Sequence, residues 1–118
     1  MQRVLIVDDD EVFAKNLGKN LSIEGYEASV VLTGNDAVAF IRSQKPDILI
    51  CDLKLPDIDG DEVIEKARGA SPATLLFVVS AYVDSSIEEK LKKMGVRGFM
   101  YKPVIFDDVT AMIRQNKE

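Results

Sequence analysis

The chain has 118 residues, 47% of them hydrophobic, which is the size of one globular domain with a single continuous core. Against 20 Asp and Glu stand 15 Lys and Arg, and the net charge of -5 leaves no general basic surface for a nucleic-acid backbone. Histidine is absent and Cys51 is the only cysteine, which excludes Ser-His-Asp triads, Cys-His pairs, His-ligated zinc and an intramolecular disulfide.

Along the chain, short apolar runs rich in Val, Ile and Leu alternate with longer segments of helical period, with no repeat, low-complexity tract or linker between them. The first predicted strand runs from Arg3 to Asp8. A helix follows near Glu11 to Ile23, with Phe13, Leu17 and Leu21 recurring every four residues on one face, and Gly25 ends it. A second strand from Glu27 to Leu32 leads through Gly34 to a short helix carrying Ala37, Val38 and Ile41. Pro46 marks the start of a third strand, Asp47 to Cys51, in which Cys51 reads as a small buried hydrophobe. Beyond the loop Asp52 to Gly60, a helix with Val63, Ile64 and Ala67 reaches Gly69. Leu75 to Ser80 shows no polar alternation and predicts a strand buried on both faces. A fourth helix bearing Ile87, Leu91 and Met94 ends at Gly95, a fifth strand runs from Arg97 to Tyr101, and a last helix holds Val109, Met112 and Ile113. Before it, Val104, Ile105 and Phe106 read first as packing at the helix start and second as an interface.

Buried strands alternating with helices predict an α/β fold whose parallel sheet is covered on both faces through right-handed crossovers, a doubly wound sandwich. Ligands of such sheets bind outside the carboxyl ends of the strands. Here those ends read Asp8-Asp9-Asp10, Cys51-Asp52, Val79-Ser80-Ala81 and Tyr101-Lys102-Pro103. Carboxylates about 5 Å apart repel by roughly 3 kcal/mol per pair at an effective dielectric near 20, and a divalent cation reverses that cost. Oxygen-only ligands favour a hard ion, and few carboxylates with open positions for water and phosphate suit Mg2+ better than a calcium cage. Lys102 and Ser80 supply a positive charge and a hydroxyl donor for phosphoryl oxygens, with Asp52 as the attacking carboxylate.

Each element also has a plainer reading. Asp8 and Asp9 fit helix caps, and Asp10 fits one better still. A lone Asp or Ser at a strand end is commonly a turn residue, and Lys-Pro is a loop signal. Their joint occurrence at four strand ends that one fold gathers together is what favours the chemical reading.

Over essentially its whole length the sequence resembles the receiver domain of two-component response regulators. Val4-Leu5-Ile6-Val7-Asp8-Asp9-Asp10 is similar to the family's opening strand and acid pair, and Asp52-Leu53-Lys54-Leu55-Pro56-Asp57-Ile58-Asp59-Gly60 to its acceptor loop; Val79-Ser80-Ala81 and Lys102-Pro103 complete the pattern. The resemblance implies a flavodoxin-like fold with strand order 2-1-3-4-5, a single receiver domain over residues 1–118, and a cis Lys102-Pro103 bond. It implies phosphorylation of Asp52, metal binding by Asp9, Asp52 and the backbone carbonyl of Lys54, and help from Asp8 through water. Phe99, three residues before Lys102, holds the position of a switch aromatic that turns inward when Ser80 moves toward the phosphoryl group, and Tyr101 shares its strand face. Lys54 and Tyr82 correspond to positions that influence how long the phosphoryl group survives. The implied partners are a sensor histidine kinase or phosphotransfer protein, a downstream output protein or domain reached through the face of helix four, strand five and helix five, and a second copy in a phosphorylation-dependent dimer.

Such a domain catalyses its own phosphorylation and dephosphorylation and is not a multiple-substrate enzyme. With no signal-like opening and no apolar run near the roughly 18 residues of a membrane span, the expected compartment is the cytoplasm. The chain ends at Lys117-Glu118, just after its last helix; a stand-alone regulator and a receiver belonging to a longer protein both fit. A pseudo-receiver that only binds proteins is disfavoured by the intact acid pair, Asp52, Ser80 and Lys102. A haloacid-dehalogenase-type phosphatase also uses an Asp nucleophile, Mg2+, a hydroxyl and a Lys, but it places the nucleophile on the first strand, which fits the separate Asp52 loop poorly.

Overall fold

A computed structural model describes residues 1–81 and 83–116. Five strands alternate with five helices: β1 (Arg3–Val7), α1 (Glu11–Ile23), β2 (Glu27–Val31), α2 (Gly34–Gln44), β3 (Ile48–Cys51), α3 (Gly60–Ala70), β4 (Leu75–Ser80), α4 (Ser85–Lys93), β5 (Val96–Tyr101) and α5 (Phe106–Gln115). The strands are all parallel, in the order β2-β1-β3-β4-β5, as the resemblance implied.

The continuous apolar runs follow from a sheet with two covered faces. Along β1 and β3, Leu5, Val7, Leu49 and Cys51 pack toward α2 and α3, whereas Val4, Ile6, Ile48 and Ile50 pack toward α1 and α5. Successive residues thus serve opposite layers, and each must be apolar. Val78 on β4 joins the first layer and Phe77 and Val79 the second, so β4 is buried on both faces as its composition predicts. Cys51 is wholly buried, and burial pushes its thiol pKa up, away from reactivity.

Three helix starts are set by side-chain caps: Asp10 accepts from the Phe13 N–H at 3.1 Å, Thr33 from Asp36 at 3.1 Å and Asp84 from Ile87 at 2.9 Å. Gly25 and Gly95, just past α1 and α4, take positive φ values of 97° and 98°. The Lys102-Pro103 peptide is cis.

Two expectations about packing need correction. Ile87, read as core-facing on the fourth helix, is 38% exposed, and Leu91 is the one buried residue within α4. Val83, just before the helix, is buried in the same layer and Met94, at its C-cap, packs there too, so a helix of 9 residues makes its contact from its flanks. Ile105 is 69% exposed, while Val104 and Phe106 on either side pack against the α1–α5 layer, which divides the run before the last helix between packing and surface.

Candidate functional site

Strand register, more than any loop, assembles the polar cluster. β1 and β3 lie side by side with Val7 opposite Cys51, and the Asp52 N–H donates to the Val7 carbonyl at 2.9 Å, so the residues that follow each strand emerge together. β4 and β5 end in the same way: Ser80 is paired with Tyr101, and the Lys102 N–H donates to the Ser80 carbonyl at 2.8 Å. Asp8, Asp9, Asp52, Ser80 and Lys102 are thereby collected at one rim of the sheet.

Asp8, Asp9 and Asp52 each bring a carboxylate oxygen within 4.8 Å of the others. Asp8 and Asp52 are only 2% and 7% exposed, whereas Asp9 faces solvent. Ser80 Oγ donates to Asp52 Oδ1 at 2.7 Å, and the Lys54 N–H reaches the same oxygen at 3.2 Å. Lys102 Nζ lies 2.6 Å from Asp8 Oδ2 and 3.2 Å from Asp52 Oδ2, and the Asp10 N–H donates to Asp8 Oδ1 at 2.9 Å. Burial raises the Asp8 pKa, and the hydrogen bond from Lys102 only partly offsets it. Burial pulls Lys102 down, but its hydrogen bond to Asp8 and the negative charges of Asp52 and Asp8 outweigh that, and its pKa is raised. Three acids lie together with one ammonium, which contacts two of them, a charge imbalance that a hard dication held by oxygen ligands would remove. The donor set fits Mg2+ on those grounds.

The loop from Asp52 to Gly60 is held by contacts that the sequence alone does not reveal. A Cβ on Gly60 would run into the Asp52 carbonyl oxygen and Leu53 Cα, both backbone, so only glycine closes the loop this tightly. Asp57, near the loop's middle, accepts from the N–H groups of Gly34 at 2.8 Å and Asn35 at 2.7 Å, capping α2 from outside the helix. The Asn35 N–H, with that of Gly34, holds the Asp57 carboxyl below the usual carboxylate range. Phe13 was read only as a core-facing residue; its ring centroid lies 4.6 Å from Lys102 Nζ, and Phe106 packs against it at 5.9 Å with a 60° tilt.

Of the remaining expected positions, Phe99 is half-buried against the layer containing Leu91 and Val83. Tyr101 follows it on the α4 side of β5, as period two predicts; it is 46% exposed and its hydroxyl donates to Glu88 Oε2 at 2.8 Å. Lys54 meets the cluster through its backbone N–H. Tyr82 lies outside the described residues.

Residues 4–114 match the family model described as the response regulator receiver domain. Among curated proteins, a response regulator receiver protein of Anaeromyxobacter sp. is 33% identical over 104 residues, covering 88% of this chain and 44% of that protein. A cyclic di-GMP phosphodiesterase of Thermotoga maritima is 35% identical over 101 residues, covering 86% of this chain and 27% of its own length. The chain spans from about a quarter to half the length of the curated relatives it matches. Among solved structures, a CheY-like response regulator receiver domain protein from Methanospirillum hungatei superposes with a TM-score of 0.94 at 30% identity, covering 98% of this chain and 92% of that one.

Proposed function

The chain belongs to the response regulator receiver domain family, and from that premise we propose that it takes a phosphoryl group onto Asp52 from a phosphohistidine of a sensor kinase or phosphotransfer protein. One observation carries this reading: Asp8, Asp9, Asp52, Ser80 and Lys102 converge at one rim, with the Asp52 carboxylate at the centre of the hydrogen bonds.

In the reaction a carboxylate oxygen of Asp52 attacks phosphorus, a P–O bond forms, the P–N bond to the donor imidazole breaks, and the imidazole leaves with the electron pair. Both Asp52 oxygens already hold donors, Ser80 and the Lys54 N–H on Oδ1 and Lys102 on Oδ2. Formation of the acyl phosphate weakens those bonds, because the charge moves outward, and Ser80 and Lys102 then turn toward the new phosphoryl oxygens. Asp8, Asp9, Asp52 and the Lys54 carbonyl would hold Mg2+, which supplies charge neutralisation. The domain turns over its own phosphoryl group and acts on no series of substrates.

Movement of Ser80 toward the phosphoryl group frees space beside β5, and Phe99 turns into it, coupling the site to the face formed by α4, β5 and α5. A downstream output protein or domain reads that face, as does a second copy in a phosphorylation-dependent dimer. Lys54, two residues after the acceptor, and Tyr82, two after Ser80, correspond to positions that hinder the attacking water and lengthen the life of the acyl phosphate. The cytoplasm is the compartment that suits such a relay; among the described residues no helix is long and apolar enough to cross a membrane.

Incubation with acetyl phosphate and Mg2+, followed by intact-mass measurement, tests the central claim. One added phosphoryl mass in the wild type and none in Asp52→Asn is the expected result. Equal gain in both proteins would place the acceptor elsewhere, and no gain in either would leave a protein-binding module.

A further inference from the structure

We propose that Phe13 is a positioning residue for Lys102, its ring face holding the ammonium over the acid cluster through a cation–π contact. The inference rests on reading Asp52 as the phosphoryl acceptor. A lysine side chain has four rotatable bonds and a strongly hydrated head, so two carboxylates alone leave its approach angle loosely set. Here the Lys102 ammonium meets Asp8 at 2.6 Å, Asp52 at 3.2 Å and the centre of the Phe13 ring at 4.6 Å. Its side chain is only 20% exposed. The negative face of an aromatic ring attracts a cation at this distance without neutralising it, which leaves the charge for phosphoryl oxygens.

The ring is itself fixed. Phe13 lies in the first turn of α1, where its N–H donates to Asp10, and the Asp10 N–H in turn donates to Asp8, so the turn that orients Asp8 also orients the ring. From the other side Phe106, the first residue of α5, packs against it at 5.9 Å. A shallow hollow lined by Asp10, Phe13, Lys102, Pro103, Val104 and Phe106 opens beside these groups. A core aromatic would bring only apolar groups to its ring face; this one presents the face to a charged nitrogen.

Phe13→Leu keeps an apolar side chain of similar size, and the rate of phosphorylation by acetyl phosphate at saturating Mg2+ is expected to fall about threefold or more. Phe13→Tyr should restore it. Replacement of Phe13 by 4-fluoro- and 3,4,5-trifluorophenylalanine should lower the rate stepwise, since fluorine withdraws electron density from the ring with little change in shape. Carbon-13 relaxation of the Lys102 ε-methylene should report greater motion in Phe13→Leu and in the trifluoro protein. Wild-type rates and unchanged ε-methylene order in both proteins would overturn the proposal. So would a fall in rate common to all substitutions that tracks the thermal midpoint, because that is packing alone. If the wild type takes up no phosphoryl group, the assignment of Asp52 fails, and the ε-methylene comparison alone decides the role of Phe13.

Discussion

The two ends of the sheet make opposite use of polar residues. At the amino ends of the strands polar groups meet backbone and hydroxyl partners: Thr74 Oγ1 donates to the Pro46 carbonyl at 2.6 Å and shares a hydrogen with Ser71 Oγ at 2.7 Å. Arg3 binds the carbonyls of Gln44 and Lys45, and its N–H donates to Asp47 at 2.8 Å. At the carboxyl ends three carboxylates crowd together with one ammonium between two of them. The first rim uses hydrogen bonds to tie segments of the chain together, and the second holds buried carboxylates against a single ammonium, an arrangement whose desolvation cost folding alone does not favour. A fold that keeps such a charge cluster at one end only separates what holds the chain together from what the chain does.

The sharpest way to break this contrast is to remove a charge from the unsettled rim. Asp52→Asn is expected to abolish phosphoryl uptake by intact mass while leaving the metal-free unfolding midpoint unchanged or higher, since it relieves repulsion. A large loss of stability would show that the acid cluster is structural after all. Next in size is the effect of the ion. Mg2+ at about a hundred times its dissociation constant should stabilise the wild type by about 2.7 kcal/mol in chemical denaturation, and far less in Asp9→Asn. An equal shift in both would remove Asp9 from the ligand set.

At the opposite rim, Thr74→Val strands the Pro46 carbonyl and Ser71 hydroxyl, both buried, and should cost about 1–3 kcal/mol by denaturation with phosphoryl uptake intact. Impaired uptake at full stability would dissolve the contrast. The smallest effect concerns pH. Because burial raises the Asp8 pKa in the folded state, the folded protein holds that proton more tightly than the unfolded chain. The associated stability is present below the unfolded carboxylate value and is lost as pH rises through the folded one. Metal-free wild type should therefore lose stability relative to Asp8→Asn across that window, and parallel pH curves would contradict it.

The element order and the acid rim were legible in the sequence for a definite reason. A residue's place at the end of a strand is a local property, and a parallel sheet converts four local ends into one site; Asp8, Asp52, Ser80 and Lys102 needed nothing more. Contacts between elements distant in sequence were not legible. Phe13 reads as one of three apolar residues on a helix face, and nothing in that period says that Lys102 and Phe106 will close around its ring. Asp57 sits among acids in a loop, and its capping of α2, more than 20 residues earlier in the chain, depends on how the loop folds back. Ile87 failed for a related reason: helical period identifies a face, but the space under α4 was filled from the flanking Val83 and Met94.

The slight hold of α4 has a consequence for motion. With Leu91 as its one buried side chain, and with Glu88 joined to Tyr101 by a hydrogen bond accessible to water, this helix can detach at a fraction of the free energy of global unfolding. Its amides should exchange with deuterated solvent well ahead of those in β1 and β3, since each of the other four helices is held by three or more buried residues.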